Sequence, residues 1–342
     1  MAALAPPVAA IRAAVRRALT GLPPDGPVLV ACSGGADSLA LAAAAAFVAP
    51  RLGRRAGLVT VDHGLQEGSA GRAEAVARWA VDAGLDPVEA VPVTVAGRPG
   101  GPEAAAREAR YQALADAARR HGATGLLVGH TRDDQAETVL LALARGAGPR
   151  GLAGMPERRE LEGVPLLRPL LDVTRDETRK ACAALGLTPW EDPHNADPSY
   201  ARARVRTDVL PVLLRALGPG VLDNLARTAR LVAADTAALD DLATGALADS
   251  AGVRVVGGGL SVAALAALAP AVRTRVLHAW ARELGASPAA LSHRHVAALD
   301  ALVTDWRGQG PTHLPGGLRV ARSAGRLLPL DRGPRLRRVT VG

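Results

Sequence analysis

The sequence predicts an α/β fold built on a doubly wound parallel sheet, with a second, smaller, mainly helical domain that ends in short strands. Three observations carry this. Apolar runs alternate with helical stretches through residues 28–145, the pattern of βαβ units and hence of parallel strands. The first and fourth runs are apolar throughout, as in strands covered on both faces. Beyond about residue 221 the texture changes to long Ala- and Leu-rich stretches, and the tail is broken by Pro315-Gly316-Gly317 and Ala324-Gly325, which are turn signals.

Taken in order, Ala9 to Leu19 reads as an amphipathic helix packed on the first domain. Its arginines follow the apolar residues instead of preceding them, the wrong order for a secretory signal. Val28 to Cys32 is the first buried strand and Ser33-Gly34-Gly35 the turn after it. Asp37 opens an Ala-rich helix that runs to about Ala49, with its acidic residue where the helix dipole favours it. This apolar run is too short to span a bilayer. Gly57 to Val61 is a second strand, ending at Asp62-His63-Gly64-Leu65. A helix from Ser69 to Ala83 is closed by Gly84. Val88 to Val95 is the third strand, Glu103 to His121 a long helix, Gly125 to Gly129 the fourth strand, and Asp133 to Arg145 another helix. Ligands of such sheets lie beyond the carboxyl ends of the strands. Ser33 to Ser38, Asp62-His63 and His130 to Glu137 therefore border one crevice.

Gly146-x-Gly148-x-x-Gly151 has the spacing of a dinucleotide fingerprint but follows a helix, so it reads as a flexible basic loop. Leu166 to Leu171 leads into a helix capped at Thr174, with Glu177 completing a capping box. Residues 189–199 form a polar loop. Arg202, Arg204 and Arg206 alternate after it, and helix continues to about Leu217. Gly218-Pro219-Gly220 marks the boundary between domains 1–217 and 218–342. Leu222 to Leu247, Leu260 to Leu284 and Ser292 to Leu302 read as helices, and Thr312 to Leu328 as short strands.

A hydrophobic content of 49% and a charged content of 22% describe a globular chain. The net charge of +8 rests almost wholly on arginine, because Lys180 is the only lysine. That excess points to a polyanionic partner, and to nucleic acid before a membrane, since no basic amphipathic anchor is evident. At 2% aromatic residues, rows of base-stacking rings are excluded as the means of recognition. Cys32 and Cys182 form no C-x-x-C, so neither a zinc ribbon nor a disulfide framework is implied, and a cytoplasmic protein is expected.

Two stretches carry chemistry. In the first, strand, glycine turn and helix start make a phosphate cradle: the glycines let the backbone come close, and the free N–H groups of the first helical turn face the anion. Ser33 and Ser38 add hydroxyls, and Asp37 can reach a Mg2+ ion between phosphates. The lysine of the commoner phosphate loop is absent. Ser33-Gly-Gly-Ala-Asp-Ser38 instead resembles the pyrophosphate loop (PP-loop) of the ATP pyrophosphatases. In the second stretch, His130-Thr-Arg-Asp-Asp-Gln-Ala-Glu-Thr138, residues His130, Asp134 and Glu137 fall near one helix face. Carboxylates gathered in a crevice repel one another unless a cation answers them, and Mg2+ and an ammonium group are the natural candidates. Acidic residues that merely suit the helix dipole are the alternative.

With both stretches in place, nearly the whole chain resembles the tRNA(Ile)-lysidine synthase family. The resemblance adds Val61-Asp-His-Gly-Leu65, Ala106-Arg-Glu-Ala-Arg-Tyr111, Arg145-Gly-Ala-Gly-Pro-Arg-Gly-Leu-Ala-Gly-Met155, Arg168-Pro-Leu-Leu171, Asp192-Pro-His-Asn195, Tyr200-Ala-Arg-Ala-Arg-Val-Arg206 and His313-Leu-Pro-Gly-Gly317. It implies an adenine nucleotide hydrolase-like sheet and a ligase with ATP and Mg2+ as cofactors. Such a ligase adenylates C2 of the wobble cytidine in tRNA(Ile) with a CAU anticodon, then attaches free L-lysine to give lysidine. It implies that Ser33, Gly34, Gly35, Ala36, Asp37, Ser38 and His63 bind the nucleotide and that Asp37 and Asp134 hold the metal. Asp134, Glu137 and His130 would bind lysine or take its proton, Arg202 and Arg206 would grip the α-phosphate or the tRNA backbone, and Arg110 would lie near the lysine or the phosphates. His194 stands where the family usually has serine, and Ala203 where it usually has asparagine. No membrane partner is expected, and the helical second domain leaves a homodimer open. The rivals are a tRNA thiolase, for which the chain lacks a suitable cysteine set, a different ATP-dependent amide-forming ligase, against which the arginine loop and the C-terminal domain argue by pointing to RNA, and an ATP-binding regulator without turnover, against which the carboxylates speak.

Overall fold

The computed structural model describes residues 4–62, 64, 68–94, 102–192, 197–248, 252–255, 257–288 and 290–330. His63, Leu65, Val95, His194 and Asn195 lie outside the described residues. The chain divides into two compact units, Met1–Ala233 and Ala234–Gly342.

The first unit opens with helix α1 (Pro6–Thr20). Strands and helices then alternate: β1 (Val28–Ala31), α2 (Ala36–Arg51), β2 (Ala56–Asp62), α3 (Ser69–Asp82), β3 (Val88–Pro92), α4 (Pro102–Arg120), β4 (Gly125–Val128) and α5 (Arg132–Ala144). A short helix α6 (Gly148–Leu152) precedes a hairpin of β5 (Arg158–Leu161) and β6 (Val164–Leu167). Next come α7 (Arg175–Ala184), α8 (Ala201–Arg204), a π-helical turn at Val205–Val209, α9 (Leu210–Leu217) and α10 (Val221–Leu247). The division between the units falls inside α10.

The sheet order is β3-β2-β1-β4-β6-β5. All neighbours run parallel except β5, which is antiparallel to β6. Val28, Leu29 and Val30 are fully buried because β1 is covered on both faces. Val28 and Val30 pack with residues of α1, α2 and α7, and Leu29 with Tyr111, Leu114 and Ala118 of α4. That is why this strand reads as an unbroken apolar run. Strand order reverses between β1 and β4, so their carboxyl ends open the crevice where ligands of doubly wound sheets sit.

The backbone at that crevice is close-packed. Gly34, after β1, has φ +85, a conformation costly for residues with a Cβ. A Cβ on Gly129, after β4, would lie 3.0 Å from the Asp37 carbonyl carbon and 3.1 Å from Ser38 N. The start of α2 thus rests on the end of β4.

The β5–β6 hairpin was not expected from sequence. Its turn, Glu162-Gly163, has positive φ at both residues (50° and 82°), as a two-residue hairpin of matching twist requires. The edge strand Arg158-Arg159-Glu160-Leu161 is charged and alternately exposed, so no apolar run marked it. Leu260 to Leu284, read as one helical stretch, is β8 (Gly259–Ser261), α11 (Val262–Ala267) and α12 (Pro270–Glu283), with Pro270 starting the last helix.

In the second unit, β7 (Arg254–Val255), β8, β9 (Thr312–Leu314), β10 (Leu318–Ser323) and β11 (Arg326–Leu330) form a sheet in the order β7-β8-β11-β10-β9. Its core gathers Trp280 of α12, Leu299 and Leu302 of α13 (His293–Thr304), and Leu260, Val320 and Leu327 of the sheet. The Trp280 indole N–H donates to Gly258 O at 3.0 Å. No single helix among the described residues is long and apolar enough to cross a membrane.

Gly129→Ala forces its new methyl group against the α2 start. We expect a loss of about 1–3 kcal/mol in urea unfolding together with a raised KM for ATP. An unchanged midpoint and KM would show that the contact is slack.

Candidate active site

The two sequence stretches meet at one cavity of about 1020 Å³. Ser33, Gly35, Ala36, Asp37 and Ser38 line it from the β1–α2 turn, Asp62 from β2, Arg110 and Tyr111 from α4, His130 and Asp134 from the β4–α5 junction, and Arg206 from the π-helical turn. Glu137 and Arg202 do not line it. Glu137 is fully buried behind Asp134 on α5.

The phosphate cradle is held by Ser38, whose hydroxyl donates to Gly35 O at 3.0 Å and accepts from Ser33 N at 3.2 Å. Trp190 N donates to Gly34 O at 2.9 Å, which pins the far side of the turn. Asp37 sits in the first turn of α2, and its carboxylate accepts from the Thr178 hydroxyl of α7. Burial pushes this carboxyl up to about 6, and the nearby charge of Asp134 acts in the same sense against Thr178 and Arg175. The charge on Asp37 is therefore under-compensated within the protein.

The α5 start is organised by a capping box. Thr131 N donates to Asp134 Oδ2 at 2.8 Å, and the Thr131 hydroxyl donates to the same oxygen at 3.0 Å. Asp134 thus caps the helix as well as facing the crevice. Gln135, one residue on, brackets the backbone of Met155: its Nε2 donates to Met155 O at 3.0 Å and its Oε1 accepts from Met155 N at 2.8 Å. A Cβ on Gly154 would lie 2.6 Å from Gln135 Oε1. The His130–Thr138 and Arg145–Met155 stretches are in this way one interlocked unit.

The cation that answers the carboxylates is a residue the sequence reading missed, Arg175. Its Nη2 donates to Asp134 Oδ1 at 3.0 Å and to Glu137 Oε1 at 3.2 Å, while Asp37 Oδ2 lies 3.9 Å from its Nε and Asp133 Oδ1 3.9 Å from its Nη1. Its backbone N–H also donates to Asp133 Oδ2 at 2.9 Å. Burial alone would lower its pKa, but the surrounding carboxylates hold it above the usual arginine value. Arg206 adds Nε to Glu137 Oε1 at 2.8 Å and Nη2 to Glu137 Oε2 at 3.2 Å. Arg202 donates to the Thr138 hydroxyl at 2.9 Å and lies 3.6 Å from Glu137. Burial raises the Asp134 carboxyl, yet Arg175 and the Thr131 N–H outweigh it and keep it below the ordinary range.

His130 stands next to this cluster. Desolvation drives its imidazole down to about 3; Arg168, Arg110 and Arg107 push the same way, against the pull of Asp134. It is neutral at pH 7, and its Nδ1 is buried without a partner. Among the described residues no group of three or more His, Cys, Asp or Glu side chains forms a metal cage. Cys32 and Cys182 are both buried and bond to Ser38 Oγ and Ala36 O.

A pyrophosphate cradle at the switch point of a parallel sheet, with carboxylates beside it, defines a PP-loop ATP pyrophosphatase. The PP-loop domain family matches residues 11–213, and the TilS substrate binding domain matches residues 260–328. A tRNA(Ile)-lysidine synthase of Salinispora arenicola is 77% identical over 334 residues, 98% of this chain and 99% of that one. One of Thermobifida fusca is 57% identical, covering 94% of this chain and 97% of its own. The chain belongs to the tRNA(Ile)-lysidine synthase family. Among solved structures, a U34-tRNA thiolase from Methanococcus maripaludis shares the fold, with a TM-score of 0.55 and 20% identity over 66% of this chain and 80% of that one.

The Asp37 carboxyl gives a pH test. Its folded value of about 6 exceeds the ordinary 3.8, so between these the folded protein holds a proton that the unfolded chain releases. Stability is therefore lost as pH rises through that window. Asp37→Asn removes the penalty: we expect it to exceed the parent at pH 7 by about 1–3 kcal/mol in urea unfolding, with the gap closing below pH 4. A variant less stable at pH 7 would contradict the assignment.

Proposed function

We infer that this crevice makes lysidine. The chain is an ATP-dependent ligase that modifies the wobble cytidine of tRNA(Ile) with a CAU anticodon, releasing AMP and pyrophosphate. The observation that carries this is the convergence of phosphate cradle, Asp37, Asp134, His130 and Arg206 on one cavity large enough for a nucleotide and a second substrate.

In this reading the N–H groups of the Ser33–Ser38 turn and the α2 start hold the pyrophosphate of ATP. Asp37 suits a Mg2+ ion: it is a single carboxylate at the cradle whose charge burial disfavours, and Mg2+ commonly takes one or two carboxylates with the rest of its shell from phosphates and water. Asp134 would be its second protein ligand, although Oδ1 and Oδ2 already accept from Arg175 and Thr131. When bound, the ion offsets the charge that builds on the α-phosphate. Arg206, at the cavity wall, steadies that phosphate, and Arg202 holds the α5 face behind it.

Free L-lysine is the amine. Its ammonium has an ordinary pKa of about 10.4, so it must be bound as a cation and lose its proton as the carbon–nitrogen bond forms. Asp134 faces the cavity and draws the ammonium in. His130 offers an unpartnered ring nitrogen beside Asp134, whereas Glu137 is sealed by Arg206 and Arg175; burial holds the imidazole down to about 3, so it serves as the base only if the bound substrates raise its basicity. His63 would contact the nucleotide beyond β2. A thiolase reading is disfavoured because the chain's two cysteines, Cys32 and Cys182, are buried. ATP and tRNA as substrates argue for a cytoplasmic setting.

The test is incubation with ATP, lysine and unmodified CAU-anticodon tRNA, followed by nucleoside mass analysis. We expect AMP release that needs both lysine and tRNA, and a cytidine heavier by one lysine less one water. A digest with the cytidine unchanged would refute the reading.

A further inference from the structure

Helix α7 does more than carry Arg175. Three of its residues, Arg175, Thr178 and Cys182, fall at i, i+3 and i+7 and so share one face. That face lies along the start of α2. The Cys182 thiol donates to Ala36 O at 3.4 Å, the Thr178 hydroxyl donates to Asp37 Oδ1, and Arg175 Nε stands 3.9 Å from Asp37 Oδ2. From β4, Gly129 closes on the Asp37 backbone. The main chain of Asp37 is thus fixed by packing, and its side chain by α7.

The two carboxylate oxygens are not held alike. Oδ1 accepts from Thr178, which is fully buried. Oδ2, at 3.9 Å from Arg175 Nε, is beyond hydrogen-bond reach of it, and Arg175 spends its Nη2 on Asp134 and Glu137. The Asp37 side chain keeps 24% of its surface exposed, and the residue lines the cavity. One oxygen is therefore tethered while the group stays open to a ligand. A threonine inside a helix needs no such partner, because its hydroxyl can donate to a carbonyl three or four residues back. Arg175 O does lie 2.8 Å from Thr178 Oγ1. The hydroxyl has one proton for these two acceptors, and the charged carboxylate is the stronger of them.

We propose that Thr178 is a positioning residue for the nucleotide-bound metal ion: its hydroxyl holds Asp37 by one oxygen at the phosphate cradle and leaves the other oxygen to the ion. This deepens the reading of Asp37 as a Mg2+ ligand and rests on it. Position matters because Mg2+ demands near-octahedral geometry. A group that hydrogen-bonds a ligating side chain is worth about ten- to hundredfold in metal affinity. The metal's contribution to nucleotide binding is thereby set from α7, a helix that none of the sequence motifs for the phosphate cradle includes.

The experiment measures ATP binding to the whole chain by calorimetry, once with Mg2+ and once with EDTA. Neither tRNA nor lysine is present, so the readout is affinity without turnover. The wild type should bind ATP more tightly with Mg2+. Thr178→Val, which removes the hydroxyl and keeps the branched shape, should cut that gain about tenfold and leave the affinity in EDTA unchanged. Thr178→Ser restores the hydroxyl and should recover most of the gain; Thr178→Ala takes the place of valine if the valine variant does not fold. In an Asp37→Asn background, Thr178→Val should cost nothing further. A gain from Mg2+ as large in Thr178→Val as in the wild type would overturn the proposal and leave the hydroxyl to Arg175 O alone. Equal losses with Mg2+ and with EDTA would also overturn it, making Thr178 a support of the cradle itself. No gain from Mg2+ in the wild type would remove Asp37 as a metal ligand and this role with it, while AMP release with lysine and tRNA tests the ligase reading separately.

Discussion

The site depends on one half-buried cation. Asp37, Asp133, Asp134 and Glu137 come from two helices that start at the same crevice, and without a counter-charge they could not share it. Arg175 supplies that charge from the first residue of α7. Its position is over-determined: the Thr174–Glu177 capping box fixes the helix start, and Asp133 accepts the Arg175 N–H. A rigid, always charged fork suits this duty better than lysine. Removing one partner from such a buried network costs far more than the network contributes as a whole. Arg175 is thus a structural requirement for the acidic wall, whatever ligand the wall receives.

The charge arrangement also sorts the carboxylates by what they can do. Glu137 accepts from Arg175 and Arg206 and has no access to the cavity. Asp134 faces the cavity while serving as a helix cap. Asp37 has the weakest compensation, shown by a pKa pushed up to about 6. It also lies at the phosphate cradle, where a further cation brings most. The fold places each of these by close backbone packing, most tightly where Gly129 lets α2 rest on β4.

Much of this was legible in the sequence. The apolar run before Ser33 and the glycine turn gave β1, the cradle and the switch-point crevice, because a buried parallel strand and a phosphate turn both have local signatures. Thr174 and Glu177 announced the α7 start for the same reason. Arg175 was not legible: it is one of many arginines, and its partners lie 38 to 138 positions away in the chain. Only the electrostatic demand of clustered carboxylates hinted at it, and that demand was assigned to Mg2+ and an ammonium group. The β5–β6 hairpin escaped because its edge strand is charged.

The most direct test of the central constraint is a double-mutant cycle between Arg175→Gln and Asp134→Asn, read by urea unfolding at pH 7. Arg175→Gln alone should cost about 3–5 kcal/mol by stranding buried carboxylates. Adding Asp134→Asn should recover part of it, with a coupling of at least about 1 kcal/mol. Two losses that simply add would contradict the claim that Arg175 is the counter-charge on which the acidic wall depends.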